Sequence, residues 1–126
     1  MIAHQFPLRV YYEDTDLSGL VYHANYLKFI ERARSEWVRS LGIDQAAMRG
    51  EGRVFVVARI EADFRVPARY HDALVVETAV AVMRPARMVL GQVVRRDGAA
   101  LFEARVTLAL IGPSGRPERL PERLRG

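Results

Sequence analysis

The chain has 126 residues, half of them hydrophobic and 27% charged, enough for one globular domain with its own core, spanning 1–126. It has no cysteine, which excludes disulfides, thiolate zinc sites and a cysteine nucleophile. The formal charge is +4, with Arg supplying all but one of the basic side chains, yet Asp and Glu are interspersed among them and no basic run appears. Nucleic acid is therefore not the expected partner, while a small phosphorylated ligand stays open.

His4, His23 and His71 lie far apart without ligand spacing, so no metal is expected. The longest apolar runs, such as Val54 to Ala58, fall far short of the roughly 18 residues a membrane span needs. Met1 to Pro7 lacks a basic region followed by an apolar stretch, so a cytoplasmic location is the expectation.

In chain order, Leu8 to Tyr12 reads as a short strand rich in aromatic and β-branched residues. An acidic loop follows, holding Glu13, Asp14 and Asp16. Gly19 permits a sharp turn, and a helix is predicted from about Ala24 to Leu41. Tyr26, Phe29, Ile30, Ala33, Trp37 and Leu41 recur at three- and four-residue spacing and form one buried stripe. Arg32 and Glu36 fall one turn apart on the other side, where they can pair. Gly42 ends the helix by its access to positive φ. At about 1.5 Å per residue such a helix crosses a whole sheet.

Beyond Arg53 the period changes. Arg59 to Val66 alternates apolar and charged residues, which predicts a strand with one buried and one wet face. Pro67 to Asp72 is a connecting loop. Leu74 to Met83 and Arg87 to Arg96 are further strands around an Arg84-Pro85-Ala86 turn. Asp97-Gly98 is a tight-hairpin signal leading into a last long strand, Ala99 to Ile111. The Pro- and Arg-rich tail reads as peripheral. The fold class is thus α+β, an antiparallel sheet wrapped around one helix. A single helix leaves sheet edges uncovered, and edges are normally paired or hidden, so a homo-oligomer is expected, a homodimer or a homotetramer built from two dimers.

The chemistry is placed in Tyr11 to Tyr26, where a carboxylate and the amide-rich start of a helix come within about ten residues of each other. That pairing can activate water and stabilise an oxyanion in one place. Asp16 also has an ordinary loop reading, since Asp and Ser commonly close turns. Arg84 and Arg87 flank one turn and Arg65 and Arg69 another; they form either a solvated rim or contacts to phosphate, which guanidinium matches well.

The run Tyr12-Glu13-Asp14-Thr15-Asp16, then Gly19-Leu20-Val21-Tyr22-His23, Asn25-Tyr26, Glu31-Arg32-Ala33-Arg34 and Pro67-Ala68-Arg69 resembles the hotdog-fold acyl-CoA thioesterases. Within them it is most similar to the branch associated with the bacterial Tol–Pal system, related to 4-hydroxybenzoyl-CoA thioesterase. Leu20 stands where that pattern has Val. The resemblance spans nearly the whole chain. It implies hydrolysis of an acyl-CoA to free acid and coenzyme A without a metal or redox cofactor, coenzyme A being part of the substrate. It further implies that Asp16 is the essential carboxylate, that Tyr12 and His23 share its pocket, and that the site lies between two subunits. The nucleotide is then expected near the turn at Arg84 to Arg87, with Arg65 and Arg69 as further phosphate candidates. Acyl carrier protein is an alternative thiol carrier. A non-catalytic module of the same fold that binds acyl-CoA or acyl carrier protein is the competing reading, separated from an enzyme by whether thiol is released. A hotdog dehydratase is a third, but its Asp-x-Asn-Pro-x-His type of motif is absent.

Overall fold

A computed structural model describes residues 3–125. Strand β1 (His4–Arg9) leads through a 3-10 turn (Tyr12–Asp14) to helix α1 (Asn25–Ser40) and a short helix α2 (Gln45–Gly50). Four long strands follow, β2 (Val54–Phe64), β3 (Ala73–Met83), β4 (Arg87–Arg96) and β5 (Ala99–Ile111), then a two-residue β6 (Pro117–Glu118) and a final 3-10 turn (Glu122–Arg125). The long strands and β1 form one antiparallel sheet in the order β1-β3-β4-β5-β2. This is the α+β sheet around one helix that the periodicity implied.

The register explains the core. Val76 lies opposite Val94, which lies opposite Phe102, while Thr78 faces Gln92 and Gln92 faces Ala104. These side chains share the face toward α1, whose Tyr26, Phe29, Ile30, Ala33, Trp37 and Val38 are buried against them. Two polar side chains sit within this apolar layer. Gln92 is fully buried, its Nε2 donating to the Ile30 carbonyl and to Thr78 Oγ1, each at 2.9 Å, and its Oε1 accepting from Arg34 at 3.0 Å. Burial pulls the Arg34 guanidinium below its usual value, with Glu31 opposing.

Four expectations need correction. The first strand runs from His4 to Arg9 rather than to Tyr12. Pro7 is accommodated because β1 is an edge strand, where a missing N–H is tolerated. Beyond Val10, Asp14 accepts the Tyr11 N–H at 2.8 Å and the Thr15 hydroxyl donates to the Tyr12 carbonyl at 2.7 Å, folding the aromatic pair into a turn. Second, α2 was not anticipated; Asp44 caps it by accepting the Ala47 N–H, and Met48 anchors it in the core. Third, Glu36 pairs with Arg39 at 3.4 Å rather than with Arg32.

Fourth, the tail is not peripheral. Leu120 and Leu124 are both 2% exposed, and the Leu120 N–H donates to the Pro85 carbonyl at 2.8 Å. Arg123 donates to the carbonyls of Leu41 and Gly42, where the end of α1 leaves carbonyls without helical partners. The sequence pattern understated this segment because two leucines among charged residues make no period. Leu120→Ala is expected to cost about 2–5 kcal/mol of stability. Urea denaturation checks this, since a surface tail would register within about 0.5 kcal/mol.

Candidate active site at the start of the central helix

The last turn before α1 is held from two sides. Asn25 Nδ2 donates to the Asp14 carbonyl at 2.9 Å, and the buried Tyr26 hydroxyl accepts the Ala68 N–H at 2.9 Å. The acidic loop is further pinned by bridges between Thr15 and Val21 and between Leu20 and Arg69. Gly19 at φ +80° makes the reversal between them, a conformation open to glycine at no steric cost. Helix start, acidic loop and the loop after Phe64 thereby meet at one end of the sheet.

They enclose a cavity of about 250 Å³. Asp16 and His23 stand at its polar side; Leu20, Val21, Tyr26, Phe64, Val66 and Leu101 make it apolar elsewhere. Within Asp16 the two carboxylate oxygens are unlike. Oδ1 accepts both the Ser18 N–H, at 2.8 Å, and the Ser18 hydroxyl, leaving Oδ2 without a protein donor among the described residues. The Ser18 hydroxyl, and after it the Ser18 N–H, hold the Asp16 carboxyl below the usual carboxylate value, because donors aimed at the ionised form favour it. The carboxylate is solvent-exposed in the single chain.

On the helix side, the first amides with carbonyl acceptors are those of Asn25 and Tyr26, bonded to Tyr22 and His23. The N–H groups of His23 and Ala24, just ahead of them, donate to no protein acceptor among the described residues. Free amides at a helix N-terminus favour negative charge through both hydrogen bonding and the helix dipole. The His23 ring is exposed, tilted over Tyr22 at 4.6 Å and edge-on to Phe64 at 6.3 Å.

The other candidates separate. Arg65 lines the cavity, but its guanidinium is engaged by Glu103, with Nε at 2.6 Å from the carboxylate. Arg69 is exposed on the adjoining loop; its N–H donates to Asp72, whose carboxyl burial pushes up but the Arg69 N–H and the Arg96 guanidinium pull down further. Tyr12 is 80% exposed, lies outside the cavity and meets the Tyr70 ring edge-on at 6.2 Å. Arg84 and Arg87 are exposed at the β3–β4 turn, toward the opposite end of the sheet. Arg87 faces Ala109 and Phe64 faces Phe102, so some seven residues of β5, roughly 23 Å at about 3.3 Å each, separate the levels. Among the described residues no three His, Asp or Glu side chains gather as metal ligands.

Ser18 and Phe64 belong to the site without a role expected from the sequence, and Tyr26, quoted only as part of the resemblance and of the buried stripe, joins them. Asp-x-Ser spacing signals the local turn that anchors Oδ1, whereas Tyr26 and Phe64 looked like core because they fit the helical and strand periods.

An antiparallel sheet wrapped on one helix, with a carboxylate and unbonded amides at that helix's start, places the protein in the hotdog class. A family model described as the thioesterase superfamily matches residues 18–103. The acyl-CoA thioester hydrolase YbgC of Escherichia coli O6:H1 is 39% identical over 120 residues, covering 94% of this chain and 90% of that one. The acyl-CoA thioesterase YbgC of Haemophilus influenzae is 43% identical over 107 residues, covering 84% and 79%. Among solved structures, a probable thioesterase from Bartonella henselae superposes with a TM-score of 0.89 at 40% identity, covering 94% of this chain and 99% of that one. The chain belongs to the thioesterase superfamily.

The Asp16 carboxylate is expected to titrate below the ordinary Asp range, and Ser18→Ala, which removes the largest of the lowering contributions, to raise it. A carbon-detected NMR titration of the side-chain carboxyl in both proteins measures the shift. An unchanged titration would show that the Ser18 hydroxyl does not hold the charge.

Proposed function

We propose that the protein is an acyl-CoA thioesterase: water and an acyl-CoA give a free acid and coenzyme A. What carries the reading is that Asp16 and His23, whose N–H has no protein acceptor among the described residues, line one small, largely apolar cavity, supported by the 39–43% identity to proteins named for this activity. The thioester carbonyl lies with its oxygen toward the His23 and Ala24 N–H groups and its carbon toward Asp16 Oδ2. As the carbonyl becomes tetrahedral, charge builds on its oxygen, where each preorganised donor contributes about 2.7–4 kcal/mol. The C–S bond then breaks and the thiol leaves with a proton. Ionised Asp16 acts either by attacking the carbonyl, with water later cleaving the anhydride, or by taking a proton from the attacking water. Neither route calls for a metal or redox cofactor. His23 contributes first through its backbone and then by its ring beside the cavity. Tyr12, outside the cavity in the single chain, assists only from the rim.

The functional unit in this proposal is at least a dimer joined along β2. In register with the core-facing residues of β5, Val57, Ile60 and Phe64 occupy the same face of the sheet as the core, yet they are 46%, 36% and 56% exposed. The predicted buried face of this strand is therefore left largely uncovered in one chain, since α1 meets it only along its margin, as where Tyr26 touches Phe64. β2 is also a long sheet edge, the kind that another strand or chain normally covers. Two copies paired antiparallel there, related by a two-fold axis, set the Asp16 end of one beside the opposite end of the other. The partner's β3–β4 turn is thus brought nearer the cavity, and its Arg84 and Arg87 counterparts remain candidates for the coenzyme A phosphates, with Arg69 on the near side.

Asp16→Asn, nearly isosteric, is expected to keep the fold and lower kcat by at least about 10²-fold, measured by trapping released thiol. A folded variant with near-normal turnover would remove the role, and a wild type that binds acyl-CoA without releasing thiol would identify a binding module instead. Ile60→Lys, placing a charge on the bare face, is expected to yield monomers by light scattering and to lose turnover with the dimer.

A further inference from the structure

We propose that each site is completed by Glu31 of the partner subunit, which takes the proton of the water that frees the acyl group from Asp16. This rests on the thioesterase and β2-dimer readings above and concerns the residues that carry the reaction out. The groove between α1 and β2 has two ends. At one, Phe64 and Val66 border the cavity that holds Asp16. At the other, Glu31, Arg34 and Ser35 of α1 and Phe55 and Val57 of β2 line a second recess. Glu31 lies eight residues beyond His23, roughly 12 Å along the helix at about 1.5 Å per residue, and does not line the cavity of its own chain. It is exposed and has no ion-pair partner among the described residues.

Charge on β2 selects how two copies pair. Phe55, Val57, Ile60, Ala62 and Phe64 lie opposite buried residues of β5 and share their core-facing side, with Ile60 in the middle of the stripe. Arg59 and Glu61 flank Ile60 on the other face, opposite Thr107 and Arg105. A two-fold axis through Ile60 sets Arg59 against the partner's Glu61. An axis one residue to either side sets Arg59 or Glu61 against its own copy, and like charges directly opposite each other are destabilising. With the axis at Ile60, Phe64 of one chain falls beside Phe55 and Val57 of the other. The cavity of each chain then meets the partner's recess. Glu31 of the partner subunit enters on the β2 side, across from Asp16 on the side of the acidic loop.

Two carboxylates on opposite sides of the thioester divide the reaction. Asp16 Oδ2 attacks the carbonyl carbon, the C–S bond breaks, and the coenzyme A thiolate leaves and takes a proton from solvent. Asp16 is then held in the anhydride and cannot activate water. Glu31 of the partner subunit does so: the water oxygen bonds to the acyl carbon, its proton passes to Glu31 of the partner subunit, and the bond to Asp16 breaks to restore the carboxylate. That proton returns to solvent as the free acid leaves.

The test compares the wild type, Asp16→Asn, Glu31→Gln and a heterodimer of the two variants purified through different tags. Thiol release from hexanoyl- and benzoyl-CoA is followed by rapid mixing, with thermal melts of each protein. Glu31→Gln is expected to release about one thiol per site in a burst, the mark of an accumulating acyl-enzyme. It should then turn over at least about 10²-fold more slowly than the wild type. In the heterodimer one site joins native Asp16 of one chain to native Glu31 of the other, so the pair should recover about half the wild-type rate. A heterodimer no faster than the mean of its parents overturns the intersubunit assignment. Folded Glu31→Gln with near-normal turnover, or slowed without a burst, overturns the role of Glu31. Each of these results leaves the thioesterase reading intact. If Glu31→Gln melts at the assay temperature, Glu31→Ser carries the same comparison. A monomeric wild type with full turnover overturns the dimer and this inference. A wild type that releases no thiol removes the thioesterase reading as well.

Discussion

Two hydrogen bonds at the first turn of α1 fix where everything else must be. The Asn25 amide reaches back to the Asp14 carbonyl, and the Tyr26 hydroxyl takes the Ala68 N–H. Each such bond is worth only about 0.5–1.5 kcal/mol net, but stranding the buried Tyr26 hydroxyl and Ala68 N–H costs about 1–3 kcal/mol. The helix start therefore cannot drift from either loop without leaving polar groups unsatisfied. Its open amides stay opposite the acidic loop because the same residues that begin the helix also hold that loop. The direction in which those amides point is in this way set by backbone geometry, which needs no side-chain ordering.

The rest of the chain divides between holding that end and leaving the other features accessible. β3, β4 and β5 carry the buried layer under α1, and the tail ties the far end of the helix through Arg123. β2 contributes hydrogen bonds to β5, and its Val57, Ile60 and Phe64 share the core-facing side of the sheet yet stay exposed. In one chain the cavity is accordingly walled by core on one side and by an edge strand on the other. Charge follows the same division: Arg65, Arg95 and Arg96 are occupied by Glu103, Glu77 and Asp72, whereas Arg84, Arg87 and Arg69 have no ion-pair partner among the described residues.

Much of this frame was legible in the amino-acid order because local signals agreed with tertiary ones. Asp97-Gly98, both at positive φ, marks the β4–β5 hairpin, and both flanking strands run where the turn signals put them. The stripe from Tyr26 to Trp37 names the buried face of α1. Where reading failed, two forces competed. The Asp14 carboxylate accepting the Tyr11 N–H and the Thr15 hydroxyl donating to the Tyr12 carbonyl overrode the strand propensity of Tyr11 and Tyr12. The alternation at Ile60 to Phe64 correctly gave a strand, but periodicity reports which residues share a face and not what covers that face. Asp16 and His23 were legible as neighbours of a helix start. Tyr12 was not legible as exposed, nor Phe64 as part of the cavity wall, since both depend on contacts with residues distant in sequence.

Gln92 has a consequence for how the layers are aligned. An apolar interface alone is forgiving: a helix can slide or roll over valines and leucines with little loss, provided total volume is kept. The Gln92 amide is satisfied only when the Ile30 carbonyl, the Thr78 hydroxyl and Arg34 arrive together. Shifting α1 by one turn, about 5.4 Å, would leave that amide dry and unmatched. The residue therefore works as a locating pin between two greased plates. It lets the surrounding hydrophobic side chains vary while the height of the helix, and so the position of its first amides over the sheet, is kept.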